Sequence, residues 1–425
     1  MNKNCKVIWP ALLLLPFSMT ACDSSSTSPP DFDIPASSTI NQNTSQAGRQ
    51  TDLWIDYRQF REDHHPDFSS VGDAFSDAIV YADFDDDGLT DVFTAPGTSR
   101  VDSVPLEFYQ NNGDGTFELV TQEWIKGDIP ELPHPRKSLV ADFNANGQPD
   151  IFIVGHGIPD YIGMDEEPDD DFPGGQAWVV MSGTDGEYQV SRVTDRMGFY
   201  HGAAAGDLTG NGLPDIFITD SPGRDRYSEP EIFLNQGDGQ FERAPERLHS
   251  QIRDISFMYT AEIVDLNENG YADIIVAGHE QDGTESRVLW GSSSGYFSLN
   301  NSTVLPAVPG WGIVVDIAAA DLTGSGHQDL VLTRTSGGEG KEPYVGYYLQ
   351  VIETKPESDF EDITPSALPD GSDTESDWIS WTRLQDISGN GRPDILVDDK
   401  RFCLRWDNDG SGKFNKMTDA CSLAF

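Results

Sequence analysis

Short runs of alternating apolar and polar residues, bounded by Gly, Asn, Asp and Pro, recur along most of this chain and predict many short strands. The runs come in a fixed order. A strand of small residues comes first, as in "SDAIVYAD", "HGAAAGD" and "VVDIAAAD". A tight acidic turn follows, then a strand such as "DVFTA" or "DIFIT". A third run alternates, as in "LEFYQN", "EIFLNQ" and "CLRWDN". A Gly-rich turn and an aromatic strand close the unit, as in "NGDGTFELV", "QGDGQFERA" and "GSGKFNKM". Four strands per unit of about 60 residues is the period of a propeller blade, whereas a β-solenoid uses much shorter repeats. The fold expected is all-β: a β-propeller of six four-stranded blades, with seven as the alternative. Only 51–74 lies upstream to supply a seventh, and "TDLWIDYRQFREDHH" there suits a short helix or an added strand.

The acidic turn occurs six times: "DFDDDGLTD" (83–91), "DFNANGQPD" (142–150), "DLTGNGLPD" (207–215), "DLNENGYAD" (265–273), "DLTGSGHQD" (321–329) and "DISGNGRPD" (386–394). Their starting aspartates are 59, 65, 58, 56 and 65 residues apart. Oxygen-bearing side chains at positions 1, 3 and 5 of such a turn converge on one point, Gly at position 6 allows the bend, and Asp at position 9 closes it. All-oxygen ligation at this spacing suits Ca2+ rather than zinc. The metal-ligating candidates are Asp83, Asp85, Asp87 and Asp91; Asp142, Asn144, Asn146 and Asp150; Asp207, Thr209, Asn211 and Asp215; Asp265, Asn267, Asn269 and Asp273; Asp321, Thr323, Ser325 and Asp329; and Asp386, Ser388, Asn390 and Asp394. Four carboxylates make the first set the strongest. The hydroxyl at position 3 weakens the third, fifth and sixth, which can also close by local hydrogen bonds alone.

With these elements in place, the chain resembles the FG-GAP/VCBS repeat proteins of bacteria, whose blades are similar to those of the integrin alpha propeller. The resemblance covers residues 75–425 and implies calcium in the loop between the first two strands of a blade. It implies little about activity.

The remaining features set location. A net charge of −45 argues against nucleic acid or an anionic membrane surface as partner. Residues 1–21 read as a secretory signal, and "MTAC" at 19–22 is similar to a lipoprotein cleavage box with Cys22 as the acylated residue. Residues 22–50 form a polar tether, and 51–74 an extension before the propeller. The expected place is the bacterial cell envelope, lipid-anchored and facing periplasm or exterior, with the membrane touched only through that anchor. In that oxidising compartment Cys403 and Cys421 are expected to pair as a disulfide that secures the end of the ring.

If the acidic turns lie on one face, the long connections lie on the other, where a propeller's axial mouth is the usual site. His134, Arg136, Tyr200, His201, Tyr259, Trp311 and Trp381 are the expected mouth residues. They suit a glycan or protein ligand, with the calcium loops structural. The alternative is a polysaccharide lyase using His201 with Tyr200 or Tyr259 as base and acid, and Arg136 against a sugar carboxylate.

Overall fold

The structure, a computed structural model, describes residues 53–64, 77–96, 104–132, 134–155, 157, 174–183, 186–221, 229–355 and 359–417. The signal, Cys22 and the tether lie outside these residues, as does Cys421. Among the described residues, no helix is long and apolar enough to cross a membrane.

Six antiparallel sheets form a ring, so the protein is a six-bladed β-propeller. Their inner strands are Ala78–Ala82, Pro135–Ala141, Ala203–Gly206, Met258–Val264, Ile313–Ala320 and Thr382–Gln385. Each pairs outward with the strand beyond its acidic turn, and two further strands complete the blade. Ile125–Lys126 adds a parallel edge to blade 2, and Ser372–Asp373 pairs with the third strand of blade 5.

The period-2 pattern works twice, because each sheet is covered on both faces by its neighbours. In blade 3, Ile216 and Ile218 pack against Leu139 and Phe152 of blade 2. Phe217, between them, joins Ile263 and Ile274 of blade 4. Blades 1 and 2 meet through Phe93, Phe108, Ile151 and Tyr188. Blades 4 and 5 meet through Val288, Ile317 and Leu330, and blades 5 and 6 through Val331, Leu349, Leu384 and Ile395. Small residues fill the inner strand of blade 3, Ala203–Gly206, where blades crowd towards the axis.

The seam between blades 6 and 1 is built differently. Among the described residues, no strand is shared across it. Helix α1 (Tyr57–His64) lays Tyr57 and Phe60, with Ile55 ahead of it, on Ile79, Tyr81, Val92 and Tyr109 of blade 1. Its Arg61 binds Asp77 at 2.9 Å and Glu107 at 2.9 Å, all three buried. Burial opposes the charge on Arg61, but Asp77, Tyr57 and Glu107 outweigh it and hold the guanidinium above its ordinary value. From blade 6, Lys400 reaches Asp77 at 3.1 Å, and the Trp381 indole donates to the Asp77 carbonyl at 3.1 Å. Arg383 pairs with Asp398 at 3.0 Å, covers the Tyr81 ring, and donates to the Leu53 carbonyl. The extension at 51–74 therefore supplies the short helix, and helix and charge close the ring. Cys403 sits two residues ahead of the strand Arg405–Asn408, and its expected bridge to Cys421 lies outside the described residues.

Candidate functional site

Each acidic turn hangs below its blade as a bracket of hydrogen bonds. The position-9 aspartates are all fully buried. One oxygen of each accepts the backbone N–H of position 2, and the other accepts an N–H at the end of the third strand. The same pair recurs at Asp273, Asp329 and Asp394, and the twelve distances run from 2.7 to 3.0 Å. Position 1 accepts from positions 5 and 6, as Asp83 does from Asp87 and Gly88 at 3.1 and 2.9 Å. Neighbouring blades are tied in as well. Tyr188 donates to the Phe84 carbonyl, Asn235 to that of Phe143, and Asn408 to that of Leu322.

Position 4 has a left-handed backbone in all six turns: Asp86, Ala145, Gly210, Glu268, Gly324 and Gly389. Glycine relieves that conformation in the third, fifth and sixth turns, which are those with a hydroxyl at position 3. The first, second and fourth hold a side chain there at φ 63°, 58° and 56°. In those three turns the strained backbone coincides with a carboxylate or amide at position 3, Asp85, Asn144 and Asn267.

The residues fit a hard divalent cation unequally. In the first turn, carboxylate oxygens of Asp83, Asp85 and Asp91 lie within 4.8 Å of one another. Asp87 stands outside that group and accepts from Leu89 N–H at 2.8 Å. Burial pushes the carboxyl of Asp91 up to about 7, Asp150 to about 6, Asp215 to about 7 and Asp273 to about 8. A nearby cation offsets such a cost. The fifth turn has its own cation: Arg392 of blade 6 binds Asp321 at 2.9 Å and packs over Gly324. Its Asp321 also bonds to Gly324 rather than to position 5.

On the opposite face, where inner strands begin and second strands end, side chains of five blades converge. Arg136 of blade 2 meets His201 Nε2 of blade 3 at 3.2 Å. The His201 ring stacks on Tyr259 of blade 4 with centroids 4.1 Å apart, and its Nδ1 lies 3.1 Å from the Tyr259 carbonyl. Tyr259 packs on His279 at 4.3 Å, and Tyr344 of blade 5 joins both: its hydroxyl is 2.7 Å from His279 Nε2 and 3.1 Å from the Tyr259 hydroxyl. Trp378 and Trp381 of blade 6 lie 5.7 and 5.3 Å from the Arg136 guanidinium, and Arg401 covers Trp378 at 4.5 Å. Beneath this cluster, fully buried Lys137 of blade 2 reaches Asp316 of blade 5 at 3.1 Å. Blades 2 and 5 stand opposite each other in a ring of six, so this pair crosses the axis and floors the mouth.

Arg136, His201, Tyr259 and Trp381 thus come together. Tyr200 does not: it is fully buried in the core between blades 2 and 3. Trp311 stands apart, under Lys341 and against Tyr348. His134 is buried ahead of the blade 2 inner strand at φ 48°. His279, Tyr344, Trp378 and Arg401 were not singled out from sequence. The first three lie inside the connections "GHEQDGTESR", "RTSGGEGKEPYVGY" and "SDWISW", whose length or aromatic content is their signal in the sequence. Arg401 gave no signal beyond its charge.

The FG-GAP-like repeat matches the chain at residues 83–153, 207–276 and 265–332. Each match begins on the first aspartate of one acidic turn and ends in the strand beyond the next. No curated protein matches the chain. Propellers of this type serve as scaffolds for binding. Blade order, turn chemistry and matched repeats agree, and the chain is an FG-GAP repeat β-propeller.

Proposed function

We propose that the protein is a calcium-binding propeller held at a bacterial cell envelope by lipid on Cys22, facing periplasm or exterior, where it binds a glycan or protein ligand at its axial mouth. One observation carries the binding reading: five blades send aromatic and basic side chains to one place, above an ion pair that closes the axis. Flat rings beside hydrogen-bonding groups suit sugar faces and their hydroxyls.

Calcium in this reading is structural. Asp83, Asp85, Asp87 and Asp91 would hold it in the first turn. The equivalent aspartates and asparagines would do so in the second and fourth, Asp142, Asn144, Asn146 and Asp150, and Asp265, Asn267, Asn269 and Asp273. It would supply charge compensation to carboxylates that burial disfavours. The polar run at 22–50 would let the disc stand off the membrane, and a Cys403–Cys421 bridge would pin the last blade.

A lyase-like reading uses the same mouth, because His201 lies between Arg136 and Tyr259. One experiment addresses both. The purified protein is passed over immobilised glycans and protein extracts with calcium, and the eluate is assayed for new unsaturated sugar ends. Retention without cleavage is expected, with loss of retention in Trp381→Ala. Retention unaffected by changes at the mouth would move the site elsewhere, and unsaturated products would make the protein an enzyme.

A further inference from the structure

Arg136 stands at the mouth with its hydrogen bonding unfinished. It is 1% exposed. Among the described residues no carboxylate pairs with it, and its Nε and Nη1 find no acceptor. The face of its guanidinium lies near Trp378 and Trp381, which satisfies the charge partly but leaves the N–H edge unused. Asp399, whose charge it feels, is already taken by Arg401 and by the Ser380 N–H. Asp399 is therefore the carboxylate nearest to two guanidinium groups, and Arg136 is the one of the two that makes no carboxylate contact among the described residues. Burial, then repulsion from Arg401, pushes the Arg136 guanidinium down to about 10. The chain carries 72 acidic residues, so the lack of a partner here is not for want of carboxylates. A buried unpaired charge is costly, and is retained where something else completes it.

Resting on the reading of the mouth as a glycan site, we propose that Arg136 receives the carboxylate of an acidic sugar, and that the ligand is a saccharide with a single acidic residue on an otherwise neutral body. Nε–H and the Nη1 N–H lie on different edges of the guanidinium, and Nη2 carries one N–H beside each. Only one of those meets His201, so the other forms with its unused neighbour a fork that matches a carboxylate edge-on. Tyr344, His201 and Trp378 supply polar groups and ring faces around it. The strongly negative surface repels polyanions, so one isolated charge suits this protein better than a chain of them.

The test uses the full protein with calcium and two matched probes, methyl β-glucuronoside and methyl β-glucoside, followed by calorimetry and thermal unfolding. The expected result is binding of the glucuronoside roughly 10- to 100-fold tighter than the glucoside, as charge-assisted hydrogen bonds imply. Arg136→Met should abolish that preference and, without ligand, raise the melting temperature, because an apolar side chain of similar length carries no unpaired charge. Arg136→Lys should fold, keep the charge and lose most of the preference with the fork, which keeps the idea testable should the Met variant misfold. Equal binding of both sugars would overturn the anion assignment while leaving a glycan mouth intact. Failure of both to bind would remove the glycan reading and the assignment together. An acidic peptide bound through Arg136 in their place would overturn the choice of a sugar. A preference that survives in Arg136→Met would place the anion on another group.

Discussion

The two faces of the disc bury charge in opposite ways. On the turn face, each position-9 aspartate is enclosed but accepts two backbone N–H groups at 2.7 to 3.0 Å, and neighbouring blades bind to the same turns. On the mouth face, Arg136 is equally enclosed and, among the described residues, has a single hydrogen-bonding contact, His201. The first arrangement is complete as a fold, and a cation there would add to a turn already standing. The second is incomplete as a fold. Satisfied buried charge is therefore concentrated at one end of the propeller, and an unsatisfied buried cation stands at the other.

The sharpest way to break this comparison is to remove a bracket. Asp273→Ala strips the acceptor from the N–H groups of Leu266 and Gly291 in the core of blade 4. Two buried donors left unsatisfied cost about 1–3 kcal/mol each, so a loss of roughly 2–6 kcal/mol is expected in urea unfolding. The loss should persist in EGTA. A loss confined to calcium-loaded protein would mean that the aspartate acts through the ion, and the turns would not be self-sufficient.

Calcium itself should have a smaller effect. Chelation is expected to lower the melting temperature, by up to the equivalent of about 2.7 kcal/mol for a site filled at a hundred times its dissociation constant. The turns should rank by their oxygens: Asp83→Ala with Asp87→Ala should cost more in calcium than Ser388→Ala. Arg392→Met tests the fifth turn. Its pair with Asp321 is partly exposed and worth less than about 1 kcal/mol. That loss should be the same with and without calcium, because Thr323 and Ser325 are weak ligands. Rescue by calcium would place the fifth turn among the ion sites. An unchanged melting curve in EGTA would remove the ions altogether.

What could be read in advance divides along the same line. The blades and turns repeat, so spacing and side-chain type in one copy check the others, and six copies made the six-bladed ring legible. The mouth does not repeat. It is assembled from connections of differing length, and which side chains meet there depends on directions that no period records. Tyr200 and His201 are adjacent in sequence, yet one packs between blades and the other faces the mouth. Trp378 and Trp381 are three apart, and both reach Arg136. The seam was hidden for a related reason. A closing disulfide was expected there and its Cys421 lies outside the described residues; what was not expected is a helix whose Arg61 finds Asp77 and Glu107, 16 and 46 positions away. Pairings of that range leave no local pattern.

The smallest predicted effect concerns protons at the mouth. Burial lowers the pKa of His279, and its hydrogen bond to Asp282 offsets this only in part. The unfolded chain therefore holds a proton on this residue more readily than the folded one. Its contribution to stability is complete above the unfolded value, about 6.5. It is lost as pH falls from there through the depressed folded value. Protonation would also turn both ring nitrogens into donors, so Tyr344 would have to act as acceptor for Nε2. His279→Gln keeps a side chain able to hydrogen-bond but cannot titrate. Melting temperatures measured from pH 7.5 to 5 should fall less steeply in this variant than in the parent, with the two curves closest at the upper end. Parallel curves would mean that His279 stays neutral throughout and that the mouth holds its shape in mild acid, leaving Arg136 as the group there whose charge matters.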